Sequence, residues 1–210
     1  MALQNRVTPE GVLVATTERS TLMGNRGGRL HGDDRTLGHR RWSSRRWICC
    51  LLAFKGRRRT VMGTGYTELF FLDEATALAA GHRPCFECRR DEALAFAARF
   101  GSVRGLGRNA TADEMDAVLH AERVTADGGK RTFAARPCEL PDGAMFRLGN
   151  IPVLKRHGRL AAWSLNGYKD SLAVAGVDDT PVVVLTPGTI VRVLAAGYVP
   201  RVHASAERCP

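Results

Sequence analysis

Apolar residues along this chain gather in short runs separated by long polar stretches. Residues 11–17 (GVLVATT), 47–55 (WICCLLAFK) and 66–72 (YTELFFL) are dense in branched and aromatic side chains and predict strands. Between the first two, residues 18–46 carry many glycines and arginines with no apolar period, which predicts a long basic loop or arm. Gly56 with Arg57, Arg58 and Arg59 predicts a basic turn closing the second run.

Helical spacing follows. Asp73 is placed to cap a short Ala-rich helix through Ala80, with Gly81 at the stop position. A second helix is predicted from about Cys88 to Phe100, with Leu94, Ala97 and Ala98 on one side. Thr111 and Glu114 have the spacing of a capping box, opening a third helix over about 112–124. Beyond residue 126, short β-prone pieces alternate with Pro141-Asp142-Gly143, His157-Gly158 and Asn166-Gly167 turns. Thr186-Pro187 predicts a cap followed by proline at the first position of one further helix, ended by Gly197. Three units are expected: a basic arm with a strand at 1–46, a module with helices at 47–125, and a β-rich unit with one helix at 127–210. The fold class expected is α+β.

Charge sharpens this picture. Of 31 basic residues only four are lysines (55, 130, 155 and 169), and the net charge is +10. Residues 1–60 hold 13 Lys+Arg against 4 Asp+Glu, so nearly all the excess lies there. Such asymmetry points to a polyanion partner, and the guanidinium fork suits phosphate oxygens. Arg40, Arg41, Arg45, Arg46, Arg57, Arg58 and Arg59 are the candidate nucleic-acid contacts. Trp42 and Trp47 interleave with them, either to stack on bases or as core residues covered by arginine stems. No apolar run reaches the roughly 20 residues of a membrane span, and no secretory h-region opens the chain. A reducing, cytoplasmic setting without membrane contact is expected.

In that setting the six cysteines suggest metal or redox chemistry rather than disulfides. Cys85 and Cys88 form a Cys-x-x-Cys knuckle, whose two thiolates can reach one tetrahedral Zn2+. A redox pair and two structural cysteines are the alternatives. Cys49 and Cys50 are adjacent on a predicted strand and point to opposite faces, so one of them is the expected third ligand. Ile48, Cys50, Leu52 and Phe54 share one face; Trp47, Cys49, Leu51 and Ala53 share the other. Both faces are apolar and the choice stays open. His31, His39, His82, His120 and Cys138 are candidates for the fourth position. His31, Asp33, Asp34 and His39 form a second group with metal-ligand chemistry on a polar loop. His120-Ala121-Glu122 and Pro84-Cys85-Phe86-Glu87-Cys88 reproduce, in reversed order, the two motifs of zinc nucleobase deaminases.

The stretch Phe70-Phe71-Leu72-Asp73-Glu74-Ala75-Thr76-Ala77-Leu78-Ala79-Ala80-Gly81-His82-Arg83-Pro84-Cys85-Phe86-Glu87-Cys88 resembles the Ada-type zinc-binding domain of bacterial DNA alkylation-response proteins. The likeness covers about residues 47–92, with His82 in place of the usual aromatic residue. It implies a small zinc-knuckle α/β module in which Cys85 and Cys88 form the second ligand pair. Cys49 or Cys50 falls in the region of the first pair, without that family's Cys-x-x-x-Cys spacing. The expected function is a zinc-containing protein that binds nucleic acid, DNA above all, with a link to DNA repair or modification. The alternatives are a zinc-dependent enzyme on nucleic acid, as methyl acceptor or deaminase-like, and a structural zinc protein with a protein partner.

Overall fold

The Ala-rich segment after Asp73 forms helix α1 (Glu74–Ala79), and every residue in it is buried. Its small side chains let two β-sheets approach it from opposite sides. Ala77 and Ala80 pack with Leu22, Cys49, Leu69 and Phe71 of one sheet, whereas Ala75 and Ala79 pack with Met145, Leu154 and Ala161 of the other. These relations come from a computed structural model describing residues 2–174 and 180–207. The chain is an α+β protein with two six-stranded sheets.

The first sheet contains β1 (Gln4–Val7), β2 (Leu13–Ala15), β3 (Leu22–Arg26), β4 (Trp47–Leu51), β5 (Leu69–Phe71) and β6 (Arg83–Pro84), in the order β2-β1-β5-β3-β4-β6. Strand β3 lies within the stretch expected to be a basic loop. Only Leu22 and Met23 there are apolar, so sequence alternation does not reveal a strand. Its Gly24 is required by close approach, since a Cβ would lie 2.0 Å from the Ile48 carbonyl oxygen. The first sheet therefore draws strands from both sides of residue 46.

The second sheet is an antiparallel array of β7 (Phe133–Ala135), β8 (Met145–Leu148), β9 (Ile151–Arg156), β10 (Arg159–Ser164), β11 (Gly167–Ala173) and β12 (Val182–Val184), ordered β11-β10-β9-β8-β12-β7. Helices α2 (Arg90–Val103), α3 (Ala112–Arg123) and α4 (Gly188–Ala195) cover it, and α5 (Ala204–Glu207) follows. One apolar cluster joins Leu78, Phe96, Phe100, Met115 and Leu119 to Phe146, Val153, Val184, Ile190 and Val193. The packing is thus continuous across residue 126.

Two caps follow the sequence and one does not. The Asp73 carboxylate accepts from Thr76 N at 2.9 Å, and Thr111 with Glu114 completes a capping box on α3. At α4 the expected Thr186 cap is replaced. Thr186 Oγ1 accepts from Met145 N, and Pro187 takes the N-cap position without a side-chain bond. Glu122 caps the helix from α3 instead, accepting from Thr189 N at 2.7 Å and Thr189 Oγ1 at 2.6 Å.

Candidate metal centre

Strand β4 presents its two cysteines to different environments. Trp47 and Cys49 are buried on one face, with Cys49 packed among the residues that meet α1, while Ile48 and Cys50 line a groove on the other face. The knuckle after α1 is delivered by β6, which runs parallel to β4 with Cys49 opposite Pro84. Cys85 N donates to Cys49 O at 3.0 Å, fixing the two segments in register. The thiols of Cys50, Cys85 and Cys88 consequently converge, with their sulfurs within 4.8 Å of one another. Among the described residues this is the only group of three or more such donors.

The donor set is all sulfur, which suits a soft or borderline cation in a tetrahedral site. Leu51 N donates to Cys88 Sγ and Glu87 N to Cys85 Sγ, both at 3.4 Å. Such N–H to sulfur contacts stabilise thiolate and orient it. Hydrogen bonds from Cys50 and Cys88 hold the Cys85 thiol far below its ordinary pKa, and the bond to Cys85 raises that of Cys50. Cys85 is buried; Cys50 and Cys88 are half-buried. Together the three thiols form a cluster able to hold a metal ion.

The groove above the cluster has a volume of about 430 Å³. Arg57, Arg58 and Arg59 line it together with Phe54, Tyr66 and Phe70. Arg57 pairs with Glu87 and so ties this loop to the knuckle. The Arg59 guanidinium lies 4.9 Å from the Tyr66 ring centroid. Arg46 lines an adjoining cavity shared with Cys85 and Tyr66, and faces Asp113 at 3.4 Å.

Other sequence candidates lie elsewhere. Cys49 is wholly buried against α1, where burial pushes its thiol pKa up and Arg89 Nη1 approaches its sulfur at 3.6 Å. His120 stands on the Trp47 side of the sheet, its ring 5.6 Å from Trp42 and 6.4 Å from Trp47. His82 is buried between Trp47 and Phe71. His31 is committed through Nδ1 to Thr67 Oγ1 and through Nε2 to Gly63 O. Asp33 pairs with Arg29, and Asp34 accepts from Thr36 N. Cys138 and His39 are exposed, and Cys209 lies outside the described residues. With Glu122 holding α4, the reversed deaminase motif does not assemble beside the thiols. Arg40, Arg41 and Arg45 are exposed but do not line the thiol groove.

Sequence reasoning missed what supports the knuckle. Tyr198 Oη donates to Glu74 Oε1 at 2.6 Å, and Arg89 Nη2 donates to Glu74 Oε2 at 2.8 Å. Tyr168 Oη donates to Asp73 Oδ2 at 2.9 Å, and Trp163 Nε1 to Thr76 Oγ1 at 3.0 Å. The second sheet and the segment after α4 thus clamp the first turn of α1, and through Arg89 the residue directly after Cys88. The aromatic residues after 160, read alone, suggest only packing. Comparison with protein-family models, with curated proteins and with solved structures finds no match for this chain.

Proposed function

We propose that this is a zinc-containing nucleic-acid-binding protein of the cytoplasm, with DNA as its partner and the thiol groove as its contact surface. The carrying observation is the convergence of Cys50, Cys85 and Cys88 in a groove lined by Arg57, Arg58 and Arg59. Zinc bound there would join β4 to the knuckle and fix the groove floor. The arginines would meet phosphates, and Phe54 and Tyr66 offer apolar faces beside them. The excess charge in residues 1–60 supports the same partner. The test is fluorescence anisotropy of a labelled duplex over a salt series. Binding that weakens steeply with salt, and weakens further when Arg57, Arg58 and Arg59 are replaced by alanine, supports the proposal. Absent or salt-insensitive binding refutes it.

A second reading keeps the Ada-type resemblance and a repair role. It is favoured by the half-buried Cys50 and Cys88 opening to a basic groove. A zinc-bound thiolate would attack a methyl carbon of an alkylated phosphate, forming a thioether and releasing the phosphodiester anion. Intact mass after incubation with methylated DNA should then rise by one methyl group. An unchanged mass rules this reading out.

A further inference from the structure

On the opposite side of the first sheet lies a second cavity, of about 270 Å³. Arg26, Arg41, Arg123 and Lys130 line it, with Trp42, Trp47 and the Gly128-Gly129 turn. Arg26 and Arg123 are each only 2% exposed. Both guanidinium groups lie 4.1 Å from the Trp47 ring centroid. Among the described residues, no carboxylate pairs with Arg26, Arg123 or Lys130. Arg26 donates to Gly11 O, Arg41 O and His82 Nε2. Arg123 donates to Gly81 O and Arg45 O, with His120 Nδ1 at 3.3 Å, and Lys130 Nζ donates to Ala79 O.

The nearby acids offset this group only in part, Asp116 acting on Arg123 and Glu10 on Lys130 without a direct ion pair to either. Glu10 is the one acid lining the cavity among the described residues, and it faces Arg147 at 3.7 Å. Asp116 accepts from Arg83 Nε at 2.9 Å and Nη2 at 2.7 Å. Arg26 and Arg123 are buried cations held by carbonyl oxygens, imidazole nitrogens and the face of Trp47, with the half-buried Lys130 beside them. Such desolvated cations are costly, and an anion in the cavity would relieve them. Burial pushes Lys130 down to about 7 and Arg26 and Arg123 down to about 9. Gly128, at φ 84°, turns the backbone so that it borders the cavity without a side chain in the way.

We propose that this cavity binds a phosphate dianion, free or as the monoester of a small molecule, through Arg26, Arg41, Arg123 and Lys130. Several cations against one acid favour a doubly charged ligand, and guanidinium forks match phosphate oxygens. The volume approaches the lower end of small-molecule sites, leaving room beyond the phosphate itself. This site is separate from the thiol groove and does not depend on metal or DNA binding.

Trp42 and Trp47 supply the readout. Tryptophan fluorescence is titrated with inorganic phosphate, adenosine 5′-monophosphate, adenosine and succinate. The proposal expects a saturable change with phosphate or the monophosphate and none with adenosine. A tighter monophosphate identifies a monoester ligand; a tighter inorganic ion identifies free phosphate. Lys130→Met and the exposed Arg41→Met should each weaken binding about tenfold, equivalent to about 1.4 kcal/mol. Arg41→Met keeps the test available if loss of Lys130 disturbs folding. No saturable change at millimolar phosphate or monophosphate overturns the proposal. So does an equal response to succinate, or unchanged affinity in folded Lys130→Met and Arg41→Met.

Discussion

Cys49 and Cys50 are neighbours on one strand with opposite roles in the structure. The Cys49 side chain is wholly buried against α1, whereas the Cys50 sulfur joins Cys85 and Cys88 in an arginine-lined groove. Strand alternation makes the difference. Cys49→Ala is therefore expected to destabilise by about 1 kcal/mol, as for a small buried truncation, without loss of metal. Cys50→Ala should lose metal. Urea unfolding and elemental analysis on both variants check the pair, and equal metal loss in the two would contradict this division.

Glu74 is the hinge between the knuckle and the C-terminal residues. Its carboxylate accepts from Arg89, Tyr198 and the Arg201 backbone N–H. Arg89 and Glu74 form an ion pair whose side chains are 0% and 1% exposed. Glu92 keeps a longer contact with Arg89, at 3.5 Å, so Glu74→Gln leaves the buried Arg89 charge only weakly paired and should cost about 3 kcal/mol. Tyr198→Phe, which removes only a hydroxyl, should cost about 1–3 kcal/mol. Chemical denaturation of the two variants gives the order, and a smaller loss for Glu74→Gln would contradict it.

Glu122 offers a direct contrast between structure and catalysis. Because its carboxylate receives the Thr189 N–H and hydroxyl at the start of α4, Glu122→Gln should lower stability by about 1 kcal/mol. Metal content should not change. Loss of metal in this variant would return the residue to the thiol site.

Lys130 predicts a pH dependence of defined sign. Burial lowers its folded-state pKa from 10.5 to about 7, with Arg26 and Arg123 acting in the same direction and Glu10 opposing. Between these values the unfolded chain holds a proton that the folded chain has released, so folding stability rises with pH. The contribution is full above pH 10.5 and is lost as pH falls through about 7. Urea midpoints of wild type and Lys130→Met, taken from about pH 7 to 10, should diverge, with wild type gaining as pH rises. Parallel curves would contradict the burial of this charge.

Much of this arrangement is legible from residues alone, and the failures have physical causes. Asp73, Thr111 and Glu114 act through local hydrogen bonds, so spacing suffices to place α1 and α3. The Cys85–Cys88 knuckle is local in the same way. Strand β3 is not, because Gly24, Asn25 and Arg26 break apolar alternation and are buried by contacts with β4 and β5. The choice of Cys50 over Cys49 depends on which face α1 covers, a tertiary fact absent from an apolar strand. Trp47 reads equally as a stacking platform or as core; it is buried, with Arg26 and Arg123 at its ring. Arg57, Arg58 and Arg59 meet the thiols only through folding of the loop between β4 and β5.

Metal stoichiometry tests the central claim most directly. Protein purified without chelator is measured by elemental mass spectrometry as wild type, Cys85→Ser, Cys50→Ser and Cys49→Ser. A three-thiol zinc site predicts about one zinc per wild-type chain, its loss in Cys85→Ser and Cys50→Ser, and its retention in Cys49→Ser. A metal-free wild type, or zinc that survives both Cys85→Ser and Cys50→Ser, would contradict it.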